Sequence, residues 1–454
     1  MPNRSPVFYR DLNTPPPIIV RGEGAYLEDA EGRRYLDGSA SASVVGIGHG
    51  RREIWEALAA EGDRVTFVYN ASLSHPWQEQ LAAAILEMAP PSMAAVYFAS
   101  GGSEANESAW KVARQYFVEQ GKHQKYKAIA RWQSYHGVTL ATLSLSGRTS
   151  WRQIYAPLLL SVPHVAPPYE YRCAFCAENG GCTLACADDL ERTILLEGPE
   201  TVAAFFAEPI VGTSAVGLVP HPDYYRRVRE ICDRYDVLFV ADEVLCGYGR
   251  AGRPFAISAW DVEPDIITLG KALASGYAPL AAMLVSERIR EVFATGSGRF
   301  VHGLTYSGTP AACFIGLKVH EIMRREGLFT RAADMEPLLR SKLMDLAERF
   351  EIVGDVRGRG LLQGIELVAD RETRRPFPRA DRVTERIVAH MRENGVFIAA
   401  GVPLANFGRD GDHLQISPPF TISPKEIAVI VEALAEALAT IELPARNSTS
   451  RECG

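Results

Sequence analysis

The segment VLFVADEVLCGYGR, residues 237–250, decides the predicted fold because it joins an apolar run to a polar, glycine-rich turn. Such a run predicts a strand buried on both faces, which is typical of a parallel sheet covered by helices. The segment DIITLGKALASGYAPLAA, residues 265–282, repeats the pattern. The first strand ends at Asp242, and Lys271 follows the second. Since open α/β sheets bind ligands at the carboxyl ends of their strands, we predict a ligand site there.

Outward from this segment, strand and helix patterns alternate through the middle of the chain. The predicted strands cover residues 95–100, 126–131, 142–146, 202–208, 237–243, 265–269 and 280–286. The predicted helices between them include residues 103–120 and 223–235. This alternation predicts an α/β fold with a mainly parallel central sheet that is flanked by helices.

The last third of the sequence has a different character. Helices are predicted near residues 311–325, 382–394 and 424–441, and short strands within residues 352–367. The early segment AYLEDAEGRRYLDG, residues 25–38, has the pattern of a β-hairpin and is predicted to join this region. We therefore predict an N-terminal segment (1–60) that packs with the small domain, a large domain (61–310) and a C-terminal α+β small domain (311–454).

Composition and charge exclude several classes of function. The chain has 454 residues, of which 47% are hydrophobic and 23% are charged, and its net charge is −7. No basic block is present that could neutralise a run of phosphates, so we expect no nucleic-acid partner. No apolar run has the length of a bilayer span, and prolines 15–17 interrupt the N-terminal apolar run, which argues against a signal peptide. We expect a cytoplasmic protein with no membrane partner.

The segment FASGGSEANESAWKVAR, residues 98–114, places a glycine-rich turn between a predicted strand and a long helix. Such a turn lets backbone N–H groups approach an anion, and the helix N-terminus adds positive potential. The candidate anion-binding residues are Ser100, Gly101, Gly102 and Ser103. The alternative is a tight turn in which a serine caps the helix.

The two charged residues at the strand ends have both chemical and structural interpretations. A buried Asp242 is costly unless it pairs with a cation or a protonated ring nitrogen, although it could equally form an ion pair or cap a loop. A desolvated Lys271 has a lowered pKa and can form imines with carbonyl compounds. The alternative is an ordinary lysine at a helix start whose amine reaches solvent. Glu243 should point to the other face and serve the structure.

The segment WQSYHGVTLATLSLSG, residues 132–147, adds an aromatic candidate. Tyr135 offers a ring face for stacking and His136 a polar contact, although either could belong to the core. The four segments together supply an anion cradle, a ring stack, a carboxylate and an imine-forming amine. Those are the parts that pyridoxal 5′-phosphate requires of a protein, so we predict that cofactor.

Through these motifs the sequence resembles the class III aminotransferases, the ω-amino acid and amine:pyruvate transaminases of the fold type I pyridoxal-phosphate enzymes. The resemblance extends from YLDGSASASVVGIGHG (35–50) to HLQISPPFTIS (413–423), and ADEV, GYGR and LGKALASGY are its most specific parts. It implies a homodimer, or a dimer-based oligomer, with shared active sites. It also implies amino-group transfer from an amine or ω-amino acid to a keto acid such as pyruvate, with ping-pong kinetics.

The resemblance also implies individual roles. Lys271 would be the Schiff-base lysine, Asp242 the partner of the pyridinium nitrogen, and Tyr135 the residue that stacks on the ring. The other cofactor residues would be Val244 on the opposite ring face, Glu208 of FAEPIVG near the phenolic oxygen, Gly101, Gly102 and Ser103 at the phosphate, and Thr305 of HGLTYSGTP reaching that phosphate from the neighbouring subunit. The candidate substrate residues are Ser43, Leu304 and Arg409, the last of which lies one residue away from the position of the family's mobile arginine.

Two other readings of the function remain open. An aminomutase, a racemase or a dialkylglycine-type decarboxylase would use the same cofactor residues. A ligand-binding protein on this scaffold would be expected to lack Lys271 or Asp242, and both are present.

A group of cysteines in YRCAFCAENGGCTLACADDL, residues 171–190, poses a separate question. Its members are Cys173, Cys176, Cys182 and Cys186. The first pair has the C-x-x-C spacing of zinc sites, and His164 is nearby, but the next gap is shorter than in zinc ribbons. We predict no metal site, and zinc, reduced thiols in a surface insertion and a local disulfide remain alternatives.

Overall fold

The computed structural model describes residues 5–61, 64–176 and 181–443. Its strands are β1 (Ile19–Glu23), β2 (Tyr26–Asp29), β3 (Arg34–Asp37), β4 (Met93–Ala99), β5 (Lys127–Arg131), β6 (His164–Val165), β7 (Val202–Ala207), β8 (Leu238–Asp242), β9 (Ile266–Leu269), β10 (Ala281–Ser286), β11 (Val353–Arg359), β12 (Leu362–Leu367), β13 (Val396–Phe397), β14 (Ala399–Ala400) and β15 (Asp412–Ile416). They form three sheets.

The largest sheet has seven strands in the order β4-β10-β9-β8-β7-β5-β6. Only β10 runs antiparallel to its neighbours. Every residue of β7 and β8 is buried, which explains their apolar sequences, since helices cover both faces of the sheet. The predicted α/β fold with a mainly parallel central sheet is confirmed.

Helices cover this sheet and build the rest of the molecule. The α-helices are Arg52–Glu61, Pro76–Met88, Gly102–Glu119, Leu140–Leu145, Thr149–Tyr155, Ala185–Glu197, Tyr224–Arg234, Glu287–Thr295, Pro310–Arg325, Leu328–Arg349, Val383–Glu393 and Pro424–Ala439. Short 3₁₀ turns occur at Ala156–Leu158, Glu170–Arg172, Ala256–Trp260, Lys271–Leu273 and Arg379–Asp381. Among the described residues, no helix has the length and apolar character that crossing a membrane requires.

The prediction of a strand at residues 142–146 is wrong. That segment lies in the helix Leu140–Leu145. Both edges of β5 are already paired, one with β7 and the other with β6, so no sheet edge is left for the segment there. The helix is further stabilised by Arg152, whose Nη1 donates to the carbonyl oxygens of Leu143 (3.1 Å) and Ser144 (2.6 Å).

The two smaller sheets bring the ends of the chain together. Their strand orders are β1-β2-β3-β13 and β11-β12-β15-β14. β13, from the last quarter of the chain, pairs in parallel with β3 of the predicted N-terminal hairpin. The backbone N–H of Gly38 donates to the Phe397 carbonyl at 2.8 Å and strengthens this junction. The domain boundaries at residues 60 and 310 stay predictions.

The four clustered cysteines line one small cavity, but they are free thiols. The Sγ atom of Cys176 accepts the backbone N–H of Thr183 at 3.3 Å. The ring of His164 lies elsewhere and stacks on Trp132 at 4.5 Å. Within the part of the chain that the structure describes, no three Cys, His, Asp or Glu side chains are arranged to hold a metal ion.

Candidate active site

A cleft of about 280 Å³ lies at the carboxyl edge of the seven-stranded sheet. Its wall contains ten of the eleven residues that the sequence assigned to the cofactor. These are Ser100, Gly101, Gly102, Ser103, Tyr135, His136, Glu208, Asp242, Val244 and Lys271. The sheet brings them together because its parallel strands all end at this edge.

Asp242, the last residue of β8, is almost fully buried, and both of its carboxylate oxygens are hydrogen-bonded. Its Oδ2 lies 2.7 Å from His136 Nδ1 and accepts the Asn106 Nδ2–H at 2.7 Å. Its Oδ1 accepts the backbone N–H of Val244 at 3.0 Å and the hydroxyl of Thr268 at 3.3 Å. These contacts offset the cost of burying the carboxylate and fix its orientation at the cleft.

Sequence reasoning missed Asn106 and Thr268. The Thr268 hydroxyl donates to Asn106 Oδ1 at 2.8 Å, so both Asn106 and Thr268 help to hold Asp242. One signal was available: Asn106 lies on the inward face of the predicted helix, beside Ala105 and Ala109, where a polar side chain needs a partner. Thr268 gives no such signal, because a threonine within a strand is ordinary.

Lys271 follows β9 in a left-handed backbone conformation, with φ of 45°. The pKa of its amine is lowered to about 8, chiefly because the amine is buried. The negative charges of Glu208 and Asp242 act in the opposite direction and raise this pKa. The charges of Arg148 and Arg250 lower this pKa further. A lysine with this pKa is partly neutral near physiological pH and can act as a nucleophile or a base.

The lowered pKa of Lys271 predicts how covalent uptake of pyridoxal phosphate by the apoprotein depends on pH. Only the neutral amine reacts with an aldehyde, and below the pKa its fraction rises about tenfold per pH unit. We expect the uptake rate to rise up to about pH 8 and then to level off. Trapping with borohydride, followed by mass spectrometry of the Lys271 peptide, measures this rate. A rate that keeps rising tenfold per unit well above pH 9, as for an ordinary lysine of pKa 10.5, contradicts the prediction.

The helix Gly102–Glu119 points its N-terminus into the cleft. Its N-cap residue is Gly101, and no side chain caps this end of the helix. The Ser103 hydroxyl accepts the backbone N–H of Val138 at 3.2 Å, which ties the helix start to the loop after His136. The uncapped N–H groups and the positive end of the helix dipole suit a phosphate group.

Gly102 is predicted to tolerate no side chain. A Cβ atom built there would lie 2.7 Å from Val244 Cγ1, whereas one built at Gly101 meets nothing within 4 Å. Overpacking of this kind typically costs about 1–3 kcal/mol. We therefore expect Gly102→Ala to weaken cofactor binding by about tenfold or more, as measured by equilibrium dialysis.

Gly101→Ala is the matched control for this substitution. We expect it to leave the melting temperature of the apoprotein unchanged, whereas Gly102→Ala should lower it. Equal melting temperatures and equal cofactor affinities for both variants and the wild type would contradict the steric argument.

Tyr135 and Glu208 form a second wall of the cleft. Glu208 Oε1 accepts the backbone N–H of Tyr135 at 2.9 Å, and its Oε2 accepts that of Gly212 at 2.8 Å. Burial raises the pKa of this carboxyl group. Glu208 therefore sets the position of the Tyr135 backbone, and its carboxyl group borders the cleft.

Ser43 does not line the cleft. It is fully buried, donates to Ser417 Oγ at 2.8 Å and accepts Gln415 Nε2–H at 2.7 Å. Residues 40–43 all have positive φ, and this left-handed turn directs Ser43 away from the cleft, whereas its neighbour Val44 lines it. A pocket-facing role for Ser43 is therefore not supported.

The other three predicted residues also lie outside this cleft as one chain forms it. Leu304 packs against Ala99, Ala105 and Ala281, and Thr305 is exposed beside it. Arg409 is exposed as well. The contact of Thr305 across a subunit interface stays a prediction.

The residues present fit pyridoxal phosphate. An uncapped helix N-terminus can bind the phosphate, and Tyr135 and Val244 line the cleft where the ring would lie. The buried carboxylate of Asp242 and the amine of Lys271, whose pKa is lowered to about 8, provide the two remaining groups that the cofactor needs. The buried Nε2 of His136 has no hydrogen-bond partner among the described residues, so this atom is available to bond to a cofactor in the cleft.

Comparison with known proteins identifies the family to which the chain belongs. The family model "Aminotransferase class-III" matches residues 9–438. An uncharacterized aminotransferase of Bacillus subtilis is 39% identical, over 95% of this chain and 97% of its own. The putrescine–pyruvate aminotransferase of Pseudomonas aeruginosa is 36% identical, over 91% and 88%. The PLP-bound amine transaminase of an uncultivated Pseudomonas species superimposes with a TM-score of 0.89 at 35% identity, over 97% and 98%. The chain therefore belongs to the class III aminotransferases, a family of enzymes that depend on pyridoxal 5′-phosphate.

Proposed function

We propose that this aminotransferase moves an amino group from an amine or ω-amino acid to a keto acid such as pyruvate, in two half-reactions of a ping-pong cycle. The observation that carries the proposal is the single cleft that holds both Lys271 and the buried, four-times hydrogen-bonded Asp242. A relative that is named a putrescine–pyruvate aminotransferase and a structural neighbour that is named an amine transaminase support this donor class.

Each residue at the cleft has a proposed task. When bound, the cofactor supplies an aldehyde that takes up the amino group and a ring that withdraws electrons. Lys271 would hold the cofactor, and its Nζ would accept a proton from the substrate carbon and return it. Asp242 would keep the ring nitrogen protonated. The remaining cofactor contacts would come from Ser100, Gly101, Gly102 and Ser103 at the phosphate, Tyr135 and Val244 at the ring, and His136 and Glu208 at its edge.

We also propose a homodimer in which Thr305 completes the phosphate site of the partner. The surface around it carries exposed aromatic and aliphatic side chains, with Tyr306 66% exposed and Tyr69 62% exposed. Phe67 packs against Tyr306 with ring centroids 6.3 Å apart, so these side chains form one patch. Such patches mark protein interfaces. Light scattering should give the mass of a dimer or a higher even oligomer, and a monomer at micromolar concentration would contradict the proposal.

The proposed location is the cytoplasm. The seven described cysteines are free thiols, which is typical of proteins in a reducing compartment.

A screen of donors and acceptors tests the proposed reaction. The purified holoenzyme is mixed with amines and ω-amino acids, and the change of the bound cofactor from its pyridoxal to its pyridoxamine form is followed by absorbance. Addition of pyruvate should reverse the change and release the carbonyl product of the donor. Conversion by no donor, or release of carbon dioxide in place of amino transfer, would overturn the proposal in favour of the other enzyme classes on this scaffold.

A further inference from the structure

Arg148 is a buried cation with no counter-ion at the edge of the candidate active site. Its side chain is 8% exposed, and its Nε and Nη2 atoms donate only to the hydroxyls of Ser214 (3.0 Å) and Thr213 (2.5 Å). In the described parts of the chain, no carboxylate lies within ion-pair distance of it. A buried charge without a partner is strongly unfavourable. This arrangement is therefore more easily explained if an anion from outside the chain binds there.

The guanidinium of Arg148 packs against Tyr135 at the edge of the cleft. It is 4.7 Å from the ring centroid of Tyr135, which lines the cleft, and 4.6 Å from that of Trp151. Its charge also acts on the reacting amine, since Arg148 contributes to the lowered pKa of Lys271. Arg148 thus adjoins the cleft through its contact with Tyr135.

A second arginine approaches the same place from the N-terminal segment. The guanidinium of Arg10 lies 5.7 Å from the centroid of the Trp151 ring. The positive charge of Arg10 disfavours the charge on Arg148 and so contributes to lowering its pKa, although burial has the larger effect. Two cations in mutual repulsion beside one ring would both be stabilised by an anion that binds near them.

Glu208 is the nearest candidate for an internal counter-ion, and its contacts argue against that role. Both of its carboxylate oxygens are used by backbone N–H groups, those of Tyr135 and Gly212. It attracts Arg148 electrostatically but forms no ion pair with it. The charge of Arg148 is therefore left for a ligand.

We propose that Arg148, assisted by Arg10, binds a carboxylate of the substrate at the mouth of the cleft. The inference rests on the proposed function and specifies its substrates as amino and keto compounds that carry a carboxylate, in preference to simple amines. Arg148 thereby takes the substrate-binding role that the family resemblance implied for Arg409. The segment before Arg409 does reach this region, since the Thr149 hydroxyl donates to the Phe407 carbonyl at 3.1 Å. A direct comparison of the two arginines is therefore part of the test.

The first experiment measures carboxylate binding without turnover. Propionate and its neutral analogue propionamide are titrated into the holoenzyme by calorimetry. Propionate should bind the wild type, and Arg148→Gln should weaken it by about tenfold or more, which corresponds to the loss of a charge-assisted hydrogen bond. Arg148→Lys keeps the charge and should fall between the two. Arg226, exposed on the helix Tyr224–Arg234, provides the matched control Arg226→Gln. Equal propionate affinity in the wild type and Arg148→Gln would overturn the proposal.

The second experiment separates substrate binding from the alternative that Arg148 only positions Tyr135. KM and kcat are compared for 4-aminobutyrate and butylamine, which differ by the carboxylate. We expect Arg148→Gln to raise KM for 4-aminobutyrate by about tenfold or more relative to KM for butylamine. Equal increases in KM for both donors would show that Arg148 only positions Tyr135. A larger loss of selectivity between the donors in Arg409→Gln than in Arg148→Gln would show that Arg409 binds the carboxylate. Either result overturns the proposal. If neither donor reacts while propionate still binds through Arg148, the proposed function fails and the carboxylate site stands.

Discussion

Replacement of Lys271 by alanine is expected to abolish turnover, with kcat lower by roughly 10³-fold or more. The substitution removes both the covalent link to the cofactor and the amine that moves the proton. General acid–base catalysis alone is typically worth about 10²–10⁴-fold, and the lost link adds to it. The pKa of about 8 makes Lys271 suited to both tasks.

Two measurements separate this chemical loss from misfolding. The variant should keep the melting temperature of the wild-type apoprotein, because the Lys271 amine makes no hydrogen bond to the described residues. After borohydride reduction, mass spectrometry should find the cofactor on Lys271 in the wild type and on no lysine in the variant. Lys318→Ala, which removes a lysine that pairs with Glu321 on the helix Pro310–Arg325, serves as the control and should retain full turnover. Near-normal transamination by Lys271→Ala would exclude the assigned role.

Asp242→Asn is expected to retain bound cofactor while turnover falls by roughly 10²–10³-fold. A neutral amide can no longer stabilise a protonated ring nitrogen, so the ring becomes a weaker electron sink. The amide would also bring an N–H group towards His136 Nδ1 and the Asn106 amide, both of which now lie 2.7 Å from the carboxylate. Cofactor content by absorbance and kcat by steady-state assay check the two halves of the prediction.

The adjacent carboxylate, Glu243, gives a matched control. It is buried on the other side of the strand end, where its oxygens accept the backbone N–H groups of Ala256 (2.6 Å) and Ile257 (2.8 Å). Glu243→Gln should therefore lower the free energy of unfolding by about 1–3 kcal/mol and leave kcat of the folded enzyme close to wild type. Equal kcat values for Asp242→Asn and the wild type would show that the ring nitrogen has no partner in Asp242.

The errors of sequence reasoning have specific physical causes. The segment 142–146 has the composition of a strand, but β6 takes the available edge of β5, and pairing between distant segments decides the outcome. The family resemblance implied a substrate role for Ser43, but the left-handed turn at residues 40–43 directs it towards Gln415 and Ser417. The sheet partner is set by distant segments, and Ala40–Ser43 contains no glycine or asparagine that would signal positive φ.

The sequence by itself determined six of the seven strands of the large sheet and the residue types that meet at its carboxyl edge. Apolar runs such as β7 and β8 report burial locally, and polar residues at the ends of parallel strands must meet at one edge, so Asp242 and Lys271 could be placed together without coordinates. Only the tertiary structure decided how these groups are oriented and which charges surround them. Asn106 and Thr268 reach Asp242 from a helix and a neighbouring strand. Arg10 and Arg148 meet at Trp151 from segments more than a hundred residues apart. Orientation and electrostatics depend on distances of a few ångströms between such segments, and only the packed chain sets those distances.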